Sequence, residues 1–326
     1  MAFRGRSLSF ILLRNWGSQG LPCAACVVQA EFGLQGESPM RTLNLSSALA
    51  TAILAFSTIV KADDAPQTAV DTSFDAIRAA VLFAGYEPVI DIDHARLAAE
   101  AGEEMPPSRV QLFSNPEVEA QILQQDIRAG LDLPFRVLSF AEQGQAKVLY
   151  TDADFLAIRH GLDLGATGEA FDSTLTEILE AASVVAEPAR TKGIVEGFGI
   201  IELTSAFGFD TTIDRLKQSV MAQGDTIWFG EVDFTAQADA VGVDLPSATL
   251  LLFGGPAPGG VAMAQFPAIG LDAFCQKLLV YTADDGSVQV IFNDIAALAE
   301  LHYGRSAKPH HGLNQRLTET FTAAVN

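Results

Sequence analysis

Two stretches of this sequence, "FSNPEVEAQILQQDIRAGLDLP" (Phe113–Pro134) and "FGGPAPGGVAMAQFPAIGLDAF" (Phe253–Phe274), punctuate the chain in the same way. Each begins Phe-x-x-Pro at the end of an apolar run, "RVQLF" or "TLLLF", and each reaches Gly-Leu-Asp at the same distance beyond it. The runs are apolar enough for buried strands, and the segment up to Gly130 or Gly270 reads as a short helix closed by its glycine.

The correspondence extends outward in both directions. Thr72-Ser-Phe-Asp75 and Thr211-Thr-Ile-Asp214 both read as capping boxes, followed by helical periods that Gly85 and Gly224 halt. Strand-like "EPVIDID" and "TIWFGEVD" end at Asp93 and Asp233, and "HARLAAEAGEEMP" answers "FTAQADAVGVDLP". Downstream, "FRVLSF" with "AKVLYT" forms a hairpin around Gln143-Gly144. "KLLVYT" with "VQVIFN" does so around Asp284-Asp285-Gly286, where glycine tolerates the turn. "DADFLAIRH" and "DIAALAELH" supply a last helix to each unit.

The pattern predicts an α+β fold of two tandem homologous units, each a mainly antiparallel sheet covered by helices. Such units are expected to pack as a pseudo-twofold pair, an intrachain substitute for a homodimer. The expected units are residues 66–164 and 198–304. A helical linker (165–197), with a helix near Leu175 to Val185, and a C-terminal extension with a helix (305–326) complete the chain. "IVEGFGIIELTSAF" reads as the first strand of the second unit.

The N-terminal part reads differently. "MRTLNLSSALATAILAFSTIVKADDAPQ" has a short basic start at Arg41, an uncharged run from Ala48 to Val60, and small residues before Asp63. This is the pattern of a signal peptide over 40–62, with a mature chain from Asp63 and no stable membrane span after cleavage. The apolar run is shorter than the about 20 residues a spanning helix needs; a buried core helix is the alternative. Residues 1–39, including Cys23-Ala-Ala-Cys26, read as a mis-assigned start or a long leader. The expected location is periplasmic or secreted. Cys275 is then the one cysteine of the mature chain, so no internal disulfide is expected. Its apolar setting reads as a buried small hydrophobe.

The chain carries 40 acidic residues against 20 basic ones, a formal net charge of −20. This counts against nucleic acid or an anionic membrane surface as partner, because like charges repel. The charge also serves solubility.

"IDHARLAAEAG", "LFSNP", "AGLDLPFRVLSF" and "YTDADFLAIRHGL" resemble successive signature blocks of the domain-of-unknown-function 302 (DUF302) family. "LFGGP", "IGLDAF" and "FNDIAALAELH" repeat the resemblance, with Phe234 standing where the first unit has His94. The resemblance implies a compact α+β fold that can self-associate through its sheet. It implies no catalytic role.

Five histidines are the obvious chemical candidates. His94, His160, His302 and His311 are the candidate ligands for zinc or copper, with Asp93 and Asp152 as carboxylates orienting them. Either His302 or His311 corresponds to His160, and His302, His310 and His311 together would form the best local metal set. Against this, a histidine at a helix end commonly caps carbonyls and meets the helix dipole. No His-x-x-x-His or cysteine-rich spacing supports a metal. "GGPAPGG" lacks the Lys-Ser/Thr of a phosphate loop, and no nucleophile elbow is present. The leading expectation is an exported, non-enzymatic module binding a small ligand or a protein partner. The alternatives are periplasmic metal handling, including a metalloenzyme, and a hydrolase or isomerase working at a cleft between the units.

Overall fold

A computed structural model of the protein describes residues 64–326. The readings of the leader, the signal segment, Cys23 and Cys26 lie outside the described residues.

The first repeat opens with α1 (Asp64–Ala84), whose buried Val70, Phe74, Ile77 and Val81 form one helical stripe. Gly85, at φ +84°, ends it. The chain continues through β1 (Glu87–Asp93), α2 (His94–Glu100), β2 (Ser108–Ser114) and α3 (Pro116–Leu123). A 3-10 turn (Ile127–Leu131), the hairpin β3 (Phe135–Glu142) and β4 (Gln145–Tyr150), then α4 (Ala153–His160) complete the predicted order. Next come α5 (Gly165–Ala182) and the two-residue β5 (Glu187–Pro188). The second repeat comprises β6 (Ile200–Ser205), α6 (Phe209–Met221), β7 (Ile227–Asp233), α7 (Phe234–Ala240), β8 (Ala248–Gly254) and α8 (Pro256–Met263). A 3-10 turn (Pro267–Gly270), β9 (Gln276–Thr282), β10 (Val288–Asn293), α9 (Ile295–Tyr303) and α10 (Lys308–Val325) follow.

Each repeat builds one five-stranded sheet, ordered β1-β2-β3-β4-β5 and β6-β10-β9-β8-β7. All pairings are antiparallel except β4 with β5. Even the irregularities recur: the register shifts between Pro88 and Ile90 in β1, and between Trp228 and Gly230 in β7. In the first repeat α1 lies across the sheet with α5 packed on it; in the second, α6 and α10 take those places.

The other face of each sheet meets the other repeat. Helix α2 packs on α8 and α3 on α7. The 3-10 turn of the first repeat lies on β8 and β9, and that of the second on β2 and β3. Each of these contacts has a mate with the roles of the repeats exchanged, which is the expected pseudo-twofold. Covered on both faces, β3 and β8 are buried almost throughout.

Two local expectations fail. Thr72 and Thr211 do not cap: α1 begins at Asp64, and α6 begins at Phe209 behind Gly208. Both threonines therefore sit inside helices, and the Thr72 hydroxyl donates back to the Thr68 carbonyl instead of accepting from a free N–H. Likewise α5 starts at Gly165, well before Leu175, because Leu164, Phe171, Leu175 and Ile178 are all buried along it.

Candidate functional site

The Gly-Leu-Asp segments meet near the pseudo-twofold axis, and each of their residues has a distinct task. A Cβ on Gly130 would stand 3.1 Å from Leu279 of β9, and one on Gly270 would stand 3.1 Å from Leu138 of β3. Glycine fits best because each turn presses its backbone onto the opposite sheet, and any side chain would have to displace these neighbours. Leu131 and Leu271 are buried, and the aspartates turn into the interface.

Asp132 is enclosed by charge. Arg159 Nη1 lies 2.7 and 2.8 Å from its two oxygens, Arg136 Nη2 lies 2.7 Å from Oδ1, and His160 Nε2 lies 2.8 Å from Oδ2. Burial alone would raise the Asp132 pKa. The guanidiniums of Arg159 and Arg136, with the bond from His160, overcome that and hold it far below the usual carboxylate range. An ionised carboxylate only accepts, so the imidazole donates Nε2–H. The end of α4 sets Arg159 and His160 side by side, and Gly161 closes the helix in the left-handed conformation.

Asp272 repeats the arrangement in part. His302 Nε2 lies 2.8 Å from its Oδ2, while Arg136 Nη2 stands 3.8 Å from its Oδ1. Arg159 ties the halves together, donating to the carbonyls of Phe198 and Gly199 and to Asn293 Oδ1 (2.7 Å). Asn293 Nδ2 in turn donates to the Asp272 carbonyl. Both arginines are fully buried. The cluster is a lock between repeats: Asp132 and both imidazole Nε2 atoms are committed within it, while Asp272 Oδ1 and Arg136 Nε and Nη1 are buried without a hydrogen-bond partner.

The predicted histidines therefore serve separate tasks. His160 and His302 join the axial cluster, each bonded to its own aspartate, and His302 is the counterpart of His160. His94 opens α2 and hydrogen-bonds the Gly270 backbone; burial pushes it down to about 4. His311 Nε2 meets Ser306, and His310 bonds the Ala307 N–H and the Ala262 carbonyl. Asp93 and Asp152 cap α2 and α4, accepting from Arg96 N and Phe155 N, so neither orients a histidine. Among the described residues no three His, Cys, Asp or Glu side chains are placed to hold a metal. Cys275 is buried as expected, which pushes its thiol up to about 12.

Two clefts open at matching places on the pseudo-twofold. The first, about 540 Å³, lies between the β3–β4 hairpin, the segment around β5, and residues 264–268 and 302–305 of the second repeat. Its cations are Lys147, Arg190 and Arg305, against Glu142 and Glu187. Arg305 stacks over the Phe266 ring, and the Tyr303 hydroxyl accepts from Ala268 N (2.8 Å). The second cleft, about 470 Å³, has one cation, Arg128, against Asp126, Asp244 and Asp284. Sequence reasoning expected a cleft between the units without naming its lining, and it missed the aspartate–arginine cluster. The aspartate recurring after a buried leucine, in an apolar stretch of each repeat, was the available signal for the cluster.

The DUF302 profile, whose description is "Domain of unknown function DUF302", matches residues 64–182 and again 201–323. The chain belongs to the DUF302 family. The two matches make it a tandem DUF302 protein, each match covering most of one sheet and its helices. A segment of 75 residues is 41% identical to the fluoride-specific ion channel FluC 1 of Brucella suis biovar 1 (strain 1330), covering 22% of this chain and 29% of that protein. The same identity and length hold for FluC 2 of Brucella melitensis biotype 1, with 27% of that protein covered. The chain thus spans under a third of these curated relatives. No helix of the described residues is long and apolar enough to cross a membrane. A crystal structure of a conserved DUF302 protein from Bacillus stearothermophilus aligns over 39% of this chain and 95% of its own, at 15% identity and a TM-score of 0.33.

Proposed function

We propose that this tandem DUF302 protein is an exported, non-enzymatic binding protein whose ligand is a small organic or inorganic anion. The carrying observation is the difference in sign between two clefts in equivalent positions. In a chain of net charge −20, one cleft gathers Lys147, Arg190 and Arg305, while its mate gathers three aspartates. The cationic cleft's volume of about 540 Å³ suits a small ligand. Arginine forks favour carboxylate or phosphate oxygens, and concentrated positive charge steers anions inward. Lys147 pairs with Glu142 at 2.5 Å, so an incoming anion would compete with that carboxylate.

Calorimetric titration of the mature chain with phosphate, succinate and citrate tests the reading. Saturable binding of at least one is expected, lost in R190E/R305E and retained in D284K on the opposite cleft. Equal binding by R190E/R305E would refute it. Export rests on the segment Arg41–Ala62, and mass spectrometry of the secreted protein reads it out. A terminus at Asp63 is expected; one far upstream contradicts it.

A further inference from the structure

The pseudo-twofold exposes a second difference, in the interior. A cavity of about 30 Å³ lies where α2 of the first repeat meets α8 of the second, lined by His94, Met263, Cys275, Phe229, Phe274 and Ile92 among others. His94 is only 9% exposed. Its Nε2 has no hydrogen-bond partner, so the bond to the Gly270 backbone is made by Nδ1. A carbonyl accepts, hence Nδ1 carries the proton and Nε2 keeps its lone pair. Metal-binding imidazoles are oriented by this kind of bond to a backbone carbonyl.

In the mate of this place the three corresponding positions carry hydrocarbon side chains. Phe234 stands in for His94, Leu123 for Met263 and Pro134 for Cys275. Phe234 and Leu123 close over Gly130, 3.0 and 3.3 Å from where its Cβ would lie. Met263 Cε closes over Gly270 in the same manner, at 2.7 Å. At all three positions the first-to-second-repeat pair differs together: a hydrocarbon side chain on one side, a nitrogen or sulfur donor on the other.

We infer that His94 Nε2, Cys275 Sγ and Met263 Sδ form a three-coordinate site for copper(I), joining the two repeats. Thiolate and thioether select a soft monovalent ion, and imidazole accommodates it. A four-coordinate zinc site would need further His, Cys, Asp or Glu ligands, and the described residues place no third one there. The cavity holds about one ion or water. Copper(I) with one thiolate is neutral overall, which suits walls of Phe229, Phe274 and Ile92. On loading, the Cys275 S–H bond breaks, the proton leaves to solvent, the Cu–S bond forms, and copper stays at +1.

The test is anaerobic titration of the mature chain with copper(I) against a chromophoric chelator. One equivalent should bind, with ultraviolet thiolate-to-copper charge transfer, and zinc(II) should not displace it. H94F, which installs the second repeat's residue, and C275S should abolish stoichiometric binding. M263L, close to isosteric, should weaken it at least about tenfold. Circular dichroism of the metal-free variants checks that each is folded. Absence of stoichiometric binding by the wild type, or wild-type affinity in folded M263L, H94F or C275S, overturns the site.

Discussion

Glu119 shows how one residue can set a pH dependence far from any cleft. It lies in α3, 1% exposed, accepting from Ser114 Oγ at 2.7 Å and Asn115 N at 2.9 Å. Burial pushes its acid up to about 7, against an ordinary 4.5, despite those bonds. A raised folded-state value means the stabilising contribution is complete below about 4.5 and is lost as pH rises through about 7. The second repeat has Gly259 at this position. E119Q removes the titration, so its unfolding free energy relative to wild type should improve by about 2.5 kcal/mol between pH 5 and pH 8. Urea unfolding at both pH values measures it, and a pH-independent difference would refute the assignment. The residue was not singled out from sequence, because an acid in "PEVEAQIL" looks like an ordinary first-turn helix charge. Asp132 was more legible, since an aspartate flanked by Leu131 and Leu133 is out of place unless something pairs it. Its partners Arg136 and Arg159 were not, because pairing across distant segments leaves no local spacing to read.

Among elements, period and punctuation decided what could be read. Strands β2, β3, β8 and β9 announced themselves as apolar runs closed by Pro or Gly, and the hairpins by glycine turns, because these signals are local. Helix starts were misplaced, since a Thr-x-x-Asp pattern is identical whether the threonine caps or lies inside. What keeps the chain helical through Thr72 is the burial of Val70 and Phe74 on the helix that packs against α5 and β3, a tertiary effect. Helix α10 is the clearest case of an element held by packing: it buries Leu313, Leu317, Phe321 and Val325 over the second sheet. Phe321 is fully buried, edge-on to Phe253 (5.9 Å between centroids) and to Phe292 (5.1 Å). Its place over the sheet parallels that of Phe171 in α5, which stacks on Phe135. Truncating Phe321 to alanine should cost about 3–5 kcal/mol through lost burial and a residual cavity. Denaturant unfolding gives the number, and a loss under about 1 kcal/mol would mean that α10 does not hold the sheet's face.

For the molecule as a whole, the question is why two repeats share one chain. Each repeat leaves one sheet face to the other, so a lone repeat would expose the surface bearing Leu138 or Leu279. A homodimer would be the obvious remedy, but the axial charges oppose it. The first repeat brings Asp132, Arg136 and Arg159 to the axis; the second brings Asp272 and Asn293, with Leu301 where the first has Arg159. Two first repeats would bury two carboxylates against four guanidiniums, and an uncompensated buried charge costs several kcal/mol. The natural pairing instead gives Arg159 the carbonyls of Phe198 and Gly199 and the Asn293 amide oxygen. Fragments 64–192 and 193–326, purified separately, should therefore fail to form folded homodimers yet combine into a one-to-one complex with the circular dichroism of the intact chain. Light scattering after size exclusion reads the stoichiometry. R159L in the first fragment, copying the second repeat's leucine, should weaken that complex because three acceptors lose their donor. A stable folded homodimer of either fragment, or undiminished association with R159L, would show that the axial charges do not enforce the pairing of unlike halves.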